Sequence, residues 1–196
     1  MNNENTGNNS TFTRFLLYAF TFPFMFLVIT SGCRPDKQAV GDEALAFRNE
    51  MQAKLNMYSI ALTESMAKNK RKKVNSILQR IYSVSTPHGS ERNISLAVLD
   101  NHGVTVATRA GTETTGAQNY GNYHIVSRVL HKHKPFQSTL YLQGGRKVYI
   151  ICSPLLNGEK VVGVLIIGID SVQLKQSGIS EKEFMSLAFS APAGGR

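Results

Sequence analysis

The second half of the chain contains five short apolar runs, each bounded by residues that favour a turn. The runs are rich in β-branched side chains and alternate in part between apolar and polar positions, which is typical of strands. The turns include Asn101-His102-Gly103, Gln143-Gly144-Gly145 and Asn157-Gly158, and the last is a strong signal for a two-residue hairpin. The pattern therefore predicts five strands in an antiparallel sheet, at residues 94–100, 104–108, 136–142, 147–154 and 161–169.

Helical periodicity marks the segments that precede these strands. Apolar residues three or four positions apart predict a long helix from Glu43 to about Ala67 and a second amphipathic helix at residues 74–82, which breaks at Thr86-Pro87. The apolar positions assigned to the long helix are Leu45, Met51, Leu55, Tyr58, Ile60 and Leu62.

Two further helices are predicted among and after the strands. Residues 122–130 place Ile125, Val126 and Val129 on a helix between strands two and three. After the last strand, Ser180-x-x-Glu183 has the spacing of a capping box and predicts a short helix. Together these elements predict an α+β fold with a five-stranded antiparallel sheet, a long N-terminal helix, a second helix and one helix between strands two and three.

The order and spacing of several short motifs resemble the single Cache domain, the PAS-like extracytoplasmic sensor domain of bacterial receptors. The resemblance covers roughly residues 70–172 and implies a module that senses small molecules without catalysis. It is carried by Asp100-x-x-Gly103-x-x-x-Ala107-Thr108, Gly116, the Gly144-Gly145 hairpin, Ser153-Pro154-Leu155, Gly158-x-x-Val161-Val162-Gly163-Val164 and Gly168-Ile169-Asp170.

The N-terminus has the anatomy of an export signal. A polar leader with Arg14 precedes the uncharged run of residues 15–32, which ends at Thr30-Ser31-Gly32-Cys33 and resembles a bacterial lipobox. We expect cleavage before Cys33 and lipidation of its thiol, so that acyl chains hold the protein at the membrane. An uncleaved anchor and ordinary secretion are the alternatives, because Thr30 stands where a Leu is usual. Arg34 after the cysteine favours the outer membrane in a Gram-negative cell.

These signals divide the chain into five parts. We expect a lipoprotein signal peptide at residues 1–32, a tether at 33–42, N-terminal helices at 43–86, the PAS-like domain at 87–172 and a C-terminal tail at 173–196. No second apolar span follows the last strand, so any signal is expected to leave through a partner such as a membrane receptor or kinase.

Composition and charge narrow the choice of partners. The 196 residues are 42% hydrophobic, which suffices for a packed core, and the net charge is +9. Basic residues are scattered and accompany no nucleic-acid motif, so we expect no nucleic-acid partner. The one basic run, Lys68–Lys73, is typical of a solvated turn, and contact with lipid phosphates is the functional alternative.

The resemblance places a ligand pocket between one sheet face and the segment from Arg109 to Lys134. In relatives that bind carboxylates, basic or polar residues occupy the positions that match Thr105, Thr108, Ile150 and Cys152 here. Two of these are apolar, so we expect no dicarboxylate clamp. We expect a small ligand that is partly apolar or carries one negative charge, or a cavity filled by side chains. The candidate binding residues are Thr108, Arg109, His124, Arg128, Ile150 and Cys152.

No motif indicates a cofactor, a metal site or an enzyme. His124 and His131 are seven positions apart and could share a helix face, but His131 and His133 are two apart and cannot, and a metal site would need a tighter set with matching acidic or sulfur ligands. Gly-x-Ser-x-Gly, phosphate loops and His-Glu-x-x-His are missing. Cys152 is expected to act as a small hydrophobic residue, with a redox role as the alternative.

The sequence thus predicts a lipid-anchored envelope protein that binds a small molecule and signals through a partner. A structural envelope lipoprotein with an unliganded PAS-like fold is the rival hypothesis.

Overall fold

A computed structural model describes residues 41–85, 94–110, 120–142 and 145–192, and all of them belong to one domain within residues 40–196. The fold is α+β, as predicted, with five strands and five helices in the described residues. The elements in chain order are α1 (Asp42–Ala67), α2 (Arg71–Ser85), β1 (Ile94–Asp100), β2 (Thr105–Arg109), α3 (His124–Lys132), β3 (Phe136–Tyr141), β4 (Lys147–Asn157), β5 (Lys160–Asp170), α4 (Ser171–Gln176) and α5 (Glu181–Ser186).

The strands form one antiparallel sheet in the order β2-β1-β5-β4-β3. The first and last strands are neighbours, with Val98 paired to Leu165, so β5 lies at the centre of the sheet and β2 and β3 lie at its edges. A bulge at Leu155/Leu156 shifts the β4–β5 register so that Asn157 pairs with Lys160. The two residues of this hairpin loop are therefore Gly158 and Glu159, and Gly158 adopts the positive φ of 60° that such a turn requires.

Helix α1 packs along one face of the sheet through a single apolar stripe. Its buried residues recur every three or four positions and meet the face of β4 and β5 that carries Tyr149, Ile151, Leu165 and Ile167. Each fully buried leucine contributes about 1.5–3 kcal/mol of hydrophobic free energy. The buried apolar members of the stripe are Ala44, Phe47, Met51, Leu55, Tyr58 and Leu62.

Two of the residues predicted for this stripe lie elsewhere. Leu45 is 45% exposed and Ile60 is 66% exposed, so both lie on the outer side of α1. The reason is that α1 is apolar on more than one side, and a mixed spacing of three and four fits more than one stripe. Helix α2 shows the clearer pattern, and its buried Val74 and Leu78 join the same core.

The segment after β5 is folded against the domain by two short helices, whereas the sequence predicted one. Asp170 caps α4 by accepting a hydrogen bond from the Val172 amide at 2.8 Å. The predicted capping box is present at α5. The Ser180 hydroxyl accepts a hydrogen bond from the Glu183 amide, and the Glu183 carboxylate accepts one from the Ser180 amide. Helix α4 has only six residues and one buried side chain, Leu174, so it leaves no periodic signal.

Helix α5 inserts an aromatic side chain into the main core. Phe184 is fully buried and makes edge-to-face contacts with Phe47 at 6.4 Å and Tyr149 at 5.2 Å between ring centroids. The Lys147 ammonium donates to the Glu181 carboxylate, and this hydrogen bond raises the pKa of Lys147. The C-terminal segment thus belongs to the packed domain.

No helix within the described residues combines the length and the hydropathy needed to cross a bilayer. The predicted signal peptide and the lipobox cysteine Cys33 fall in residues 1–40, outside the described part of the chain.

Candidate functional site

A cavity of about 450 Å³ separates helix α3 from the sheet face opposite α1. This size falls within the range of pockets that hold small molecules. Most of its lining is apolar and comes from the strands, with Ile125 and Val126 of α3 opposite them. The apolar strand residues that line it include Ala97, Leu140, Val148, Ile150 and Ile166.

Helix α3 is held over the sheet by a second apolar cluster, distinct from the core under α1. Ile125, Val126 and Val129 are buried at positions that share one side of the helix, and they pack with Ile150 and Cys152 of β4. The helix ends at His133, whose left-handed backbone (φ 54°) stops further turns. The cluster and the cavity are adjacent, because Ile125, Val126 and Ile150 belong to both.

A glycine keeps space free on the cavity floor. A Cβ atom on Gly168 would lie 2.2 Å from the Ser95 hydroxyl oxygen and 3.3 Å from a methyl of Val148. A side chain there would force the Ser95 hydroxyl to move and would occupy part of this space. Gly168 of β5 therefore allows both the close strand packing and the open volume above it.

Polar groups line the cavity at a few positions only. The lining residues with polar side chains are Ser95, Thr108, Arg109, Tyr120, Tyr123, Arg146 and Asp170. The rings of Tyr120 and Tyr123 lie 5.3 Å apart at an angle of 53°, just before α3. A mostly apolar lining with a few polar groups suits a ligand that has an apolar body and one polar end.

Three of the six predicted binding residues line this cavity. Thr108, Arg109 and Ile150 do so, and Ile150 lies on the sheet face to which the period-two pattern assigns it. The Arg109 guanidinium, however, is directed to helix α2, where it donates to Asn75 at 2.8 Å and to Gln79. Arg109 thus fastens β2 to α2 and leaves fewer of its donors for a ligand.

The other three predicted residues do not line the cavity. His124 and Arg128 are exposed on α3, and the Arg128 guanidinium lies 4.0 Å from the centre of the Phe136 ring. Cys152 is fully enclosed in the second apolar cluster beneath the cavity. Its burial raises the pKa of the thiol far above the ordinary value, so the thiol stays protonated and behaves as a small apolar group.

Two charged residues of the lining were missed by the sequence reasoning, although a signal for each existed. Arg146 precedes Val148 and Ile150 by steps of two, so the same alternation that assigned those residues extends to it. Asp170 follows Ile166 and Gly168 in the same way on β5. Arg146 is exposed and forms no ion pair with any described residue.

The described residues contain no group of three or more His, Cys, Asp or Glu side chains that could hold a metal ion.

No protein-family model and no curated protein matches this sequence. Solved structures match the fold. One is a domain ascribed to the sensory box/GGDEF family from Vibrio parahaemolyticus, with a TM-score of 0.55 and 9% identity over 74% of this chain and 61% of that one. Another is the sensory domain of the Campylobacter jejuni chemoreceptor Tlp3 with isoleucine bound, with a TM-score of 0.54 and 15% identity over 87% of this chain and 67% of that one.

The Tlp3 ligand-binding domain in complex with L-valine gives a similar result, with a TM-score of 0.52 and 15% identity. At these identities the likeness concerns the fold. The chain has the PAS-like fold of extracytoplasmic receptor sensor domains, and the resemblance to a single Cache domain is confirmed at that level. The chain spans about 61% of the Vibrio domain and 68% of the valine-bound Tlp3 domain.

Proposed function

We propose that this protein is an envelope sensor that binds a small, partly apolar molecule with one anionic group in the cavity between α3 and the sheet. The observation that carries the proposal is the cavity itself, about 450 Å³ of space that the side chains of this fold leave open. The PAS-like fold supports it, since the chemoreceptor Tlp3 binds L-valine and isoleucine in domains of this kind.

The lining favours this class of ligand. Ala97, Ile150 and Ile166 offer apolar contacts to the body of the molecule, and Arg146 at the mouth offers a cation with paired donors for a carboxylate. Thr108 adds a hydroxyl. The basic or polar residues that hold a dicarboxylate in relatives are replaced on the fourth strand by Ile150, which lines the cavity, and by Cys152, which is buried beneath it, so a second negative charge would meet the apolar surface of Ile150.

Thermal unfolding of the full chain in a nonionic detergent tests binding. A monocarboxylate with an apolar tail, at a hundred times its dissociation constant, should stabilise the protein by about 2.7 kcal/mol. The panel would also contain amino acids, dicarboxylates, amines and purines. If no compound raises the unfolding temperature, the rival hypothesis is favoured, in which the protein is a structural envelope lipoprotein with an unliganded PAS-like fold.

Matched variants connect the effect to the cavity. Ala97→Leu should fill the space and abolish the shift, whereas Ala53→Leu on the exposed side of α1 should leave it unchanged. Arg146→Gln should weaken binding of anionic compounds, and Arg80→Gln on α2 serves as its control. A shift that survives Ala97→Leu at full size would contradict the assignment of the cavity.

The anchoring and the signalling route form the second part of the proposal. Export and lipidation at Cys33 are supported by the lipobox-like Thr30-Ser31-Gly32-Cys33 after an uncharged run. Occupancy of the cavity would then change contacts with a membrane receptor or kinase, as befits a fold shared with chemoreceptor domains. Ligand-dependent cross-linking from Met57, which is exposed on α1, to a membrane protein measures this step. Cross-links that form to the same extent with and without ligand would contradict this signalling route.

A further inference from the structure

A second cleft, of about 330 Å³, lies on the other side of the sheet from the sensor cavity. Its apolar floor includes Met66, Val106 and Val162, which pack on the core under α1. Its rim comes from three separate segments. They are Lys70 and Arg71, at the junction between the α1–α2 link and α2, then the β1–β2 turn at residues 100–102, and the start of β5 at Lys160. We call it the basic cleft.

Positive charge that the described residues do not neutralise is concentrated in the lining of the basic cleft, at Lys70, Arg71 and Lys160, and in the sequence next to it, at Lys72 and Lys73. Within residues 68–73, five of six side chains are cationic. Lys68 pairs with Glu64 at 2.6 Å, and Arg71 approaches Asp100 at 3.7 Å. Lys70, Lys72, Lys73 and Lys160 form no ion pair with any described residue.

The opposing acidic groups are already engaged. One carboxylate oxygen of Asp100 accepts the amides of His102 and Val104, both at 2.9 Å, and so holds the β1–β2 turn in shape. The positive field extends beyond the paired lysine, because the pKa of Glu64 is lowered first by Lys68 and then also by Lys73 and Lys70. An anion that enters the cleft would therefore meet the cations of Lys70, Arg71 and Lys160 and one carboxylate, Asp100, whose second oxygen lies 3.7 Å from the Arg71 guanidinium.

This arrangement of cations is unfavourable for the helix that carries it. The first turn of α2 holds Arg71, Lys72 and Lys73 and no acidic residue, although the positive end of the helix dipole lies there. Helix stability alone would favour the opposite charge at these positions. A bound anion relieves both the mutual repulsion of the cations and their conflict with the dipole.

We propose that the basic cleft binds a phosphate group, carried either by a soluble phosphate ester or by a phospholipid headgroup. Arg71 supplies paired donors that match phosphate oxygens, and Lys70 and Lys160 supply point charges from two sides of the cleft. The organic part of the ligand lies against the apolar floor at Met66 and Val106. The site is independent of the sensor cavity, which uses the opposite sheet face.

Hydrogen–deuterium exchange of the full chain tests the proposal with two sources of phosphate. In one arm the protein is in nonionic detergent and receives inorganic phosphate or glycerol 1-phosphate, against chloride at equal ionic strength. In the other it is reconstituted in phosphatidylcholine vesicles with or without an equimolar amount of phosphatidylglycerol. The peptides that cover residues 68–74 and 158–163 report on the basic cleft.

Two quadruple variants are compared. The first removes four charges at and next to the cleft: Lys70→Gln/Lys72→Gln/Lys73→Gln/Lys160→Gln. The second is its control and removes four charges from exposed sites elsewhere: Lys132→Gln/Lys134→Gln/Lys175→Gln/Lys182→Gln. We expect slower exchange of the cleft peptides in at least one arm, and a half-saturating concentration roughly tenfold or more higher in the first variant alone. Slower exchange with soluble phosphate identifies a phosphate ester, and slower exchange only with phosphatidylglycerol identifies a headgroup. Unchanged exchange in both arms, or equal responses of the two variants, overturns the proposal.

Discussion

At the scale of single residues, two neighbours on β4 illustrate how period-two geometry separates the functions of the sheet faces. Ile151 is fully buried in the core under α1, whereas Ile150 faces the cavity under α3. The same chemical side chain thus maintains the fold at one position and shapes the candidate site at the next. A substitution at each position should therefore be judged by a different measurement.

For Ile151 the appropriate measurement is stability. Ile151→Ala removes apolar contacts and leaves a void in a closed core, so the free energy of unfolding should fall by about 2–5 kcal/mol. The same substitution at Ile60, which is 66% exposed on α1, should change it by about 0.5 kcal/mol at most. Urea unfolding compares the two. Equal effects would show that α1 packs with a different face.

At the scale of elements, the short helix α5 depends on its N-terminus more than on its own length. Six residues form too few internal hydrogen bonds to be stable alone, and the capping box at Ser180 and Glu183 supplies partners for the free amides. The element matters because it positions Phe184 against Phe47 and Tyr149. Loss of the cap is therefore expected to loosen the contact between the C-terminal segment and α1.

Ser180→Ala tests this dependence. The variant should lower the free energy of unfolding by about 1 kcal/mol at neutral pH, because one helix amide loses its acceptor. Ser177→Ala is the control. The Ser177 hydroxyl follows α4 and donates to the Gln173 carbonyl of that helix, so its loss leaves the amides of α5 unchanged. Urea unfolding at pH 7 measures both variants, and equal losses would contradict a specific role for the cap.

The same element also predicts a pH dependence. The Ser180 hydroxyl and amide donate to Glu183 and lower the pKa of that carboxyl below its ordinary value of 4.5. Because the pKa of Glu183 is lower in the folded protein, the ionised carboxylate contributes stability that is complete above pH 4.5. This stability is lost as the pH falls through the pKa of the folded protein. Stability measured across this acid range should fall less steeply in Ser180→Ala than in the wild type. Parallel curves would exclude this role for Glu183.

At the scale of the whole molecule, local signals predicted the sheet well because its turns are marked by residues with special backbone requirements. Gly103, Gly145 and Gly158 all adopt positive φ, so the chain reversals could be read directly from the sequence. The strands between them alternate, which was enough to assign Val148, Ile150 and Cys152 to one face. The prediction of a five-stranded antiparallel sheet followed from these two local rules.

The candidate site was less predictable because it depends on contacts between distant segments. The direction of Arg109 is set by Asn75 and Gln79 on α2, thirty or more positions earlier, and no local pattern encodes that pairing. Helix α3 begins at His124, two residues later than predicted, and its rotation leaves Arg128 on the outside against Phe136. Side-chain direction at a pocket is thus a tertiary property even where the face is known.

The proposed location at the cell envelope concerns the whole molecule, and it depends on one N-terminal residue, Cys33. If Cys33 carries the lipid, Cys33→Ser should abolish metabolic labelling with palmitate and leave an unprocessed precursor, because the hydroxyl cannot replace the thiol as the acyl acceptor. Only one other cysteine, Cys152, exists, and Cys152→Ala is the matched control that should keep its label. Labelling that persists in Cys33→Ser would place the lipid elsewhere and leave the PAS-like domain without its proposed anchor. Loss of label in Cys33→Ser alone would instead place the start of the mature chain at Cys33, nine residues before Asp42, so that only residues 34–41 would separate the lipidated cysteine from helix α1.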